Sequence, residues 1–268
     1  MKREALEEVV NRHIGKIEKC SRQLPGSFDQ EDIHDLRVNY KKVRAFLRLL
    51  QLEKGAGDLD IPAKLKSLYH HCGHVRDWQL FLDELHTVAV AAKIPACMHR
   101  LNQQLFTYKE QAVYAIEITH FKKLLHGIVK GLPRQLHDNT FNKFMQQKIA
   151  AIHILLLAAD NEKDLHSIRK LIKDIIYIMR ICESDWGIPF PGGEWKSEKE
   201  LSDMVSELGD FNDRCLAISL LQSGYSDDCD NDEKDQLQEL QSIWVQQKEK
   251  QQRQLLQLVQ ELHMEHAY

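Results

Sequence analysis

Glycine and proline are scarce in this chain, at 12 and 6 of 268 residues, and aromatic residues make up only 7%. That poverty of turn formers and ring-bearing side chains argues against a fold of many short strands. The abundance of Leu, Gln, Lys and Glu favours helices instead. The six cysteines (Cys20, Cys72, Cys97, Cys182, Cys215 and Cys229) make no C-x-x-C pair and read as reduced thiols of a cytosolic protein. No surplus of positive charge exists, because the net charge is −4, so any affinity for a polyanion has to come from a local concentration of cations. No apolar run approaches the length of a membrane span, and M-K-R-E-A-L-E-E-V-V has no apolar stretch behind its charges. Neither a membrane segment nor a signal peptide is expected. With 43% hydrophobic and 28% charged residues, the chain can bury a core as one large or two small domains.

What is present is helical periodicity, along nearly the whole length. The spacing predicts helices over about 3–20, 29–53, Pro62 to 92, one or two within 96–131, then 139–159, 163–184, Ser197 to 222, and a long last one ending near 263. Leu24-Pro25-Gly26 is expected to end the first, and Ser27 with Gln30 resembles a capping box opening the second. G-I-P-F-P-G-G, from Gly187 to Gly193, is the strongest loop signal. S-D-D-C-D-N-D-E-K-D, over 226–235, reads as a solvated acidic linker. No segment reads as a strand, so the fold class is all-α, a helical bundle.

One helix carries a second pattern. From Ile33 the chain reads I-H-D-L-R-V-N-Y-K-K-V-R-A-F-L-R. His34, Arg37, Lys41, Arg44 and Arg48 recur every three or four residues and project within about 80° of arc. Like charges so placed repel each other, which points to an external source of negative charge. Leu36, Tyr40, Val43, Leu47 and Leu50 form a separate stripe for the core. The run returns from Leu165 as L-H-S-I-R-K-L-I-K-D-I-I-Y-I-M-R, with His34 on His166, Arg37 on Arg169, Lys41 on Lys173 and Arg48 on Arg180. Behind each copy comes a helix with a Gly and an Asp four residues apart, Gly73 with Asp77 and Gly209 with Asp213. Such a duplication predicts one domain of two pseudo-symmetric halves, about 1–135 and 136–268. Packed about a twofold axis, the halves would bring both basic helices to a common groove or central channel.

At these residues the chain resembles the CHAD family, the conserved histidine α-helical domain. That pattern is a His, an Arg three residues on and further cations at helical spacing, in two copies, each followed by a leucine-rich helix with a Gly and an Asp. His34, Arg37, Lys41, Lys42 and Arg44 fit the first copy, followed by Gly73-His74-Val75-Arg76-Asp77. His166, Arg169, Lys173 and Tyr177 fit the second, followed by Leu208, Gly209, Asn212 and Asp213. The likeness runs from about residue 5 to about 260. It implies a helical bundle that binds inorganic polyphosphate in a basic groove or channel, without chemistry on the polymer and without a cofactor. Ile176 and Asp174 depart from the pattern, which implies less charge from the second half. The implied site comprises His34, Arg37, Lys41, Lys42, Arg44, Arg48, Lys66, His70, His74, Arg76, Lys122, His166, Arg169, Lys170, Lys173, Tyr177 and Arg180. The expected location is the cytoplasm, at polyphosphate granules.

These residue types suit such a polymer, which offers evenly spaced charge and little else. Arg can fork onto two phosphate oxygens, and Lys brings a mobile point charge. The stripe from His34 to Arg48 spans about 21 Å, long enough to touch several phosphates. His34 and His166 either gain a proton beside the anion or only cap and pack at their helix starts. His70 and His74 have zinc spacing, but no Cys or Glu set completes a site. Asp228, Asp230, Asp232 and Glu239 mimic a calcium loop, but Glu233 stands where its Gly is required. Asp77 and Asp213 suit acid–base work or a structural hydrogen bond to an Arg or a helix end. Lys122, Lys123, Arg100, Lys143 and Lys148 are either solvated or part of the groove.

The competing reading is a nucleic-acid backbone binder. Against it, few aromatic residues remain for stacking and no DNA-reading motif occurs. A phosphate-processing enzyme would need a Gly-rich phosphate loop and a carboxylate set for Mg²⁺, and neither is evident.

Overall fold

The computed structural model describes residues 1–186, 197–222 and 229–264. Within them the chain forms α1 (Arg3–Ser27), α2 (Gln30–Leu50), α3 (Ala63–Thr87), a 3₁₀ turn (Ala91–Lys93), α4 (Pro95–Glu117), α5 (Phe121–Gly131), α6 (Asp138–Ala158), α7 (Glu162–Trp186), α8 (Glu198–Gln222) and α9 (Asn231–Met264). The fold is an all-α helical bundle, as the periodicity predicts. The only β pairing among the described residues is a single antiparallel bridge between Lys2 and Gln135. The Gly187–Gly193 loop signal and residues 226–228 of the acidic segment lie outside the described residues.

Two local expectations are corrected. Helix α1 runs through Pro25 to Ser27 instead of stopping at Leu24. A proline denies the helix one hydrogen bond, and so close to the end that loss is small. Termination falls to Phe28, whose left-handed conformation (φ 50°) lets its N–H reach the Leu24 carbonyl at 2.8 Å. The cap of α2 is Asp29, not the Ser27–Gln30 pair: its carboxylate accepts the N–H groups of Glu31 at 2.9 Å and Asp32 at 3.1 Å. A capping box does open α8, where Ser197 and Glu200 exchange side-chain to backbone hydrogen bonds at 2.8 and 3.2 Å.

Two buried carboxylates tie distant helix ends together. Glu233, expected in a solvated linker, is only 2% exposed. It accepts the N–H groups of Ala96 at 2.7 Å and Cys97 at 3.2 Å, and so caps α4 from the first turn of α9. Glu53, just past α2, accepts the His137 N–H at 3.0 Å, the Thr140 hydroxyl at 2.7 Å and the His137 ring Nδ1 at 2.8 Å, at the start of α6. Burial opposes the charge on Glu53, but these hydrogen bonds outweigh it and hold its carboxyl down at about 2. A folded pKa below the unfolded 4.5 means stabilisation that is present above pH 4.5 and lost as pH falls towards 2. Glu53→Gln is expected to lower Tm at pH 7 and barely change it near pH 2, which thermal denaturation at the two pH values checks.

The apolar faces collect in two cores. The larger joins α1, α2, α3, α6 and α7, with Leu6, Ile17, Phe46, Leu68, Ile172 and Ile178 among its fully buried members. The second joins α3, α4, α8 and α9 around Trp78, Phe81, Leu101, Ile218 and Trp244. Each such side chain contributes about 2–3 kcal/mol by leaving water. The larger core matters for the site, because it takes the apolar stripes of α2 and α7 and leaves their cationic edges outside it.

Candidate functional site

Helices α2 and α7 pack against each other, α3 packs on α2, and α8 packs on α7. On each pair an arginine lies over a glycine. A Cβ on Gly73 would collide with Arg37 Nη1, and one on Gly209 would stand 3.0 Å from Arg169 Nη2. The glycines of the repeat are thus gaps that admit a guanidinium against the helix backbone. Arg37 also lies over the Tyr69 ring at 4.8 Å, and Tyr69 stacks on Tyr40 with centroids 4.0 Å apart. Arg169 is held by the Val205 carbonyl, which accepts from Nε at 3.4 Å. Tyr69 carries no periodic signal that would have singled it out in the sequence.

Between these arginines stand two lysines from different helices. Burial pushes Lys41 down to about 7, assisted by the charges of Lys173, Arg37, Arg169 and Arg44. Burial also pushes Lys173 down to about 8, with Arg169 and Arg37 adding to the effect and Asp213 opposing it. Five cations of α2 and α7 therefore lie within electrostatic reach of one another. Neither lysine makes a hydrogen bond or ion pair with another described residue, and the buried Arg44 Nε has no partner among them. Such a group is costly to hold together and gains most from an anion.

The ends of the stripe are different. Arg48 Nη1 is 3.1 Å from Asp174 Oδ2, and Lys148 Nζ is 2.7 Å from the same oxygen. Arg180 is bound by Glu198 at 2.7 Å and by the Ser202 hydroxyl at 3.4 Å. Asp174, which interrupts the second basic run, thus neutralises a cation of the first. Lys42 is lowered by burial and then by its neighbours Lys16 and Arg180.

His34 is exposed at the start of α2. Although the residue is exposed overall, partial burial lowers its pKa, and Arg76 and Lys41 add to this against Glu31 and Asp35. Arg76 also hydrogen-bonds Gln30, which places it with His34. His166, at the start of α7, is lowered by burial and then by Lys170, against a side-chain hydrogen bond with Asn212; its Nδ1 is buried without a partner among the described residues. His166, Ser167, Lys170, Asn212 and Cys215 line a cavity of about 430 Å³. His34 is within electrostatic reach of Lys41, and His166 of Arg169.

Of the remaining expected residues, Lys66 is exposed beside His70, whose pKa falls through burial and then through Lys66. His74 stacks on Tyr108 at 5.3 Å. Tyr177 is 6% exposed, and burial raises its phenol to about 12. Lys122 is exposed on α5, a helix packed on α1.

Acid lies next to this base. Asp77 is raised by burial and by Asp213, while Arg37, His74 and Lys41 pull it down. Asp77, Glu84, Asp210, Asp213 and Arg214 line a cavity of about 310 Å³, in which Arg214 is already bonded to Glu84 at 2.9 Å. Among the described residues no group of three or more His, Cys, Asp or Glu side chains could hold a metal ion, and no helix is long and apolar enough to cross a membrane.

Three comparisons bear on identity. No curated protein matches the chain. The crystal structure of the CHAD domain from the plant Ricinus communis is similar with a TM-score of 0.69 at 17% identity, over 98% of this chain and 92% of that one. At that identity the likeness establishes the fold. The family model of the CHAD domain matches residues 8–222, a span that contains both basic helices and both glycine-bearing helices. With that span matched, the chain belongs to the CHAD domain family.

Proposed function

We propose that this protein binds inorganic polyphosphate, without acting on it chemically, in a basic groove between α2 and α7. The halves, about 1–135 and 136–268, would be duplicated units around that groove. The observation that carries the reading is the pair Lys41 and Lys173, which among the described residues have no hydrogen bond or ion pair, in the company of Arg37 and Arg169. A linear polyphosphate supplies closely spaced negative charge beyond what Asp77 and Asp213 provide. In this reading the two arginines fork onto phosphate oxygens and the lysines neutralise the phosphates between them. His34 with Arg76 and His166 with Lys170 continue the path on either side. Arg48 and Arg180, each already held by a carboxylate, mark where it ends.

Two features favour polyphosphate over nucleic acid. Tyr40 and Tyr69 stack on each other and Tyr177 is buried, so these rings offer no free face to a base. The neighbouring carboxylates Asp77 and Asp213 confine the cationic surface to a small group. A cytoplasmic role at polyphosphate granules follows from the same ligand.

Competition among polyphosphate, single-stranded RNA and duplex DNA at matched salt tests the proposal, with product analysis in Mg²⁺. Polyphosphate is expected to win, with affinity falling steeply as salt rises and no phosphate released. Preference for either nucleic acid, or released phosphate, would overturn it. Gly73→Ala offers a test without touching the ligand. Its methyl group collides with the tip of Arg37, a flexible side chain, so the fold is expected to survive while Arg37 is displaced. Affinity is expected to fall about ten-fold, the worth of one charge-assisted contact. Adding Arg37→Ala to it is expected to cost little more, and titration of the two single and one double variant checks this.

A further inference from the structure

The second core holds two thiols that the basic site does not use. Cys97 lies in the first turn of α4 and Cys229 just ahead of α9, and they are 1% and 5% exposed. Both belong to the second core, and Cys229 is among the groups that raise the Cys97 thiol, so the two thiols are neighbours. Arg100, one turn on from Cys97, donates from Nη2 to Cys229 Sγ at 3.1 Å. Glu233 accepts the N–H groups of Ala96 and Cys97, which holds the start of α4 against the start of α9. The sulfurs are thus brought together by two helix ends distant in sequence, and one of them faces a fixed positive charge.

We propose that Cys97 and Cys229 form a dithiol modification site for hydroperoxides, whose oxidation clamps α9 to α4. Cys229 reacts first, because Arg100 supplies positive charge where negative charge develops on the attacking sulfur. Its sulfur attacks one oxygen of the hydroperoxide. An S–O bond forms, the O–O bond breaks, and water or an alcohol leaves with the thiol proton. Cys229 is then a sulfenic acid. Cys97 attacks that sulfur, the S–S bond forms, the S–O bond breaks, and the departing hydroxide takes the Cys97 proton as water. The two thiols lose two electrons and the hydroperoxide gains them. Burial, Cys229 and the charge of Glu233 raise the Cys97 thiol to about 12, so it is the poorer first nucleophile and the first attack falls to Cys229.

The full chain, treated with hydrogen peroxide, alkylated and digested, tests the assignment by mass spectrometry. A Cys97–Cys229 linked peptide is expected as the main crosslink, reversible by dithiothreitol. The oxidised chain should melt roughly 5–10 °C higher, because the bond closes a long loop. Arg100→Ala should slow crosslinking about ten-fold, and Cys97→Ala should leave Cys229 reactive to a sulfenic-acid probe. If both thiols alkylate after peroxide as fully as before, or if Cys229 pairs with another cysteine, the proposal fails. The unaltered chain decides between these outcomes whether or not the variants fold.

Discussion

Replacing Lys41 and Lys173 together with glutamate is expected to weaken polyphosphate binding about a thousand-fold or more, while the folded state gains stability. The two effects have one cause. Each lysine sits half-buried among cations, Lys41 held down at about 7 and Lys173 at about 8. Carboxylates in their places would pair with Arg37 and Arg169 and relieve that repulsion. They would also repel every phosphate. A merely structural pair of lysines would not separate affinity from stability in this way.

The same lysines set a pH dependence with opposite signs for folding and binding. Their folded pKa values lie below the unfolded 10.5, so the unfolded chain holds more protons above about pH 7. Stability of the free protein is therefore expected to rise with pH from about 7 towards 10. A bound polyanion raises both pKa values, so binding takes up protons. Affinity is expected to fall over the same range, by up to about ten-fold per pH unit for each lysine. His34 and His166, also lowered in the free protein, extend that trend below neutrality. Titration calorimetry in buffers of different ionisation heat counts the protons, and denaturation across the range gives the stability. An affinity flat between pH 7 and 9 would remove Lys41 and Lys173 from the site.

Asp174→Ala is expected to cost about 3 kcal/mol of stability, enough to lower Tm by roughly 10 °C. The carboxylate is 3% exposed and bonds Arg48 of α2 and Lys148 of α6 from its place on α7. Its removal leaves Lys148, with a side chain only 16% exposed, without its ion-pair partner. Arg48 reaches solvent, so its share of the loss is screened. The prediction has a second half. Freed from Asp174, Arg48 lengthens the cationic path, and polyphosphate affinity of the folded variant should rise. Urea denaturation measures the first and binding under native conditions the second. A cost below about 1 kcal/mol would mean that the triad is a solvated surface contact.

The amino-acid order alone determined the all-α class, the basic stripe on Ile33 to Arg48, its return from Leu165, and the Gly and Asp that follow each copy. These are regularities within a few turns of one helix, and a 3.6-residue period writes them into the chain. What only the tertiary structure decided is which charges meet. Arg48 and Arg180 have the same local pattern as Lys41 and Lys173, yet the first two are bound to Asp174 and Glu198. Asp174 reads as a flaw in the second run until its partner across the helix interface is seen. Gly73 and Gly209 become intelligible only beside Arg37 and Arg169. Glu233 changes from a misplaced loop residue into the cap of α4 for the same reason. A charge's partner lies on another helix, from 18 residues away for Arg180 to 126 for Arg48, and packing of the apolar faces chooses it.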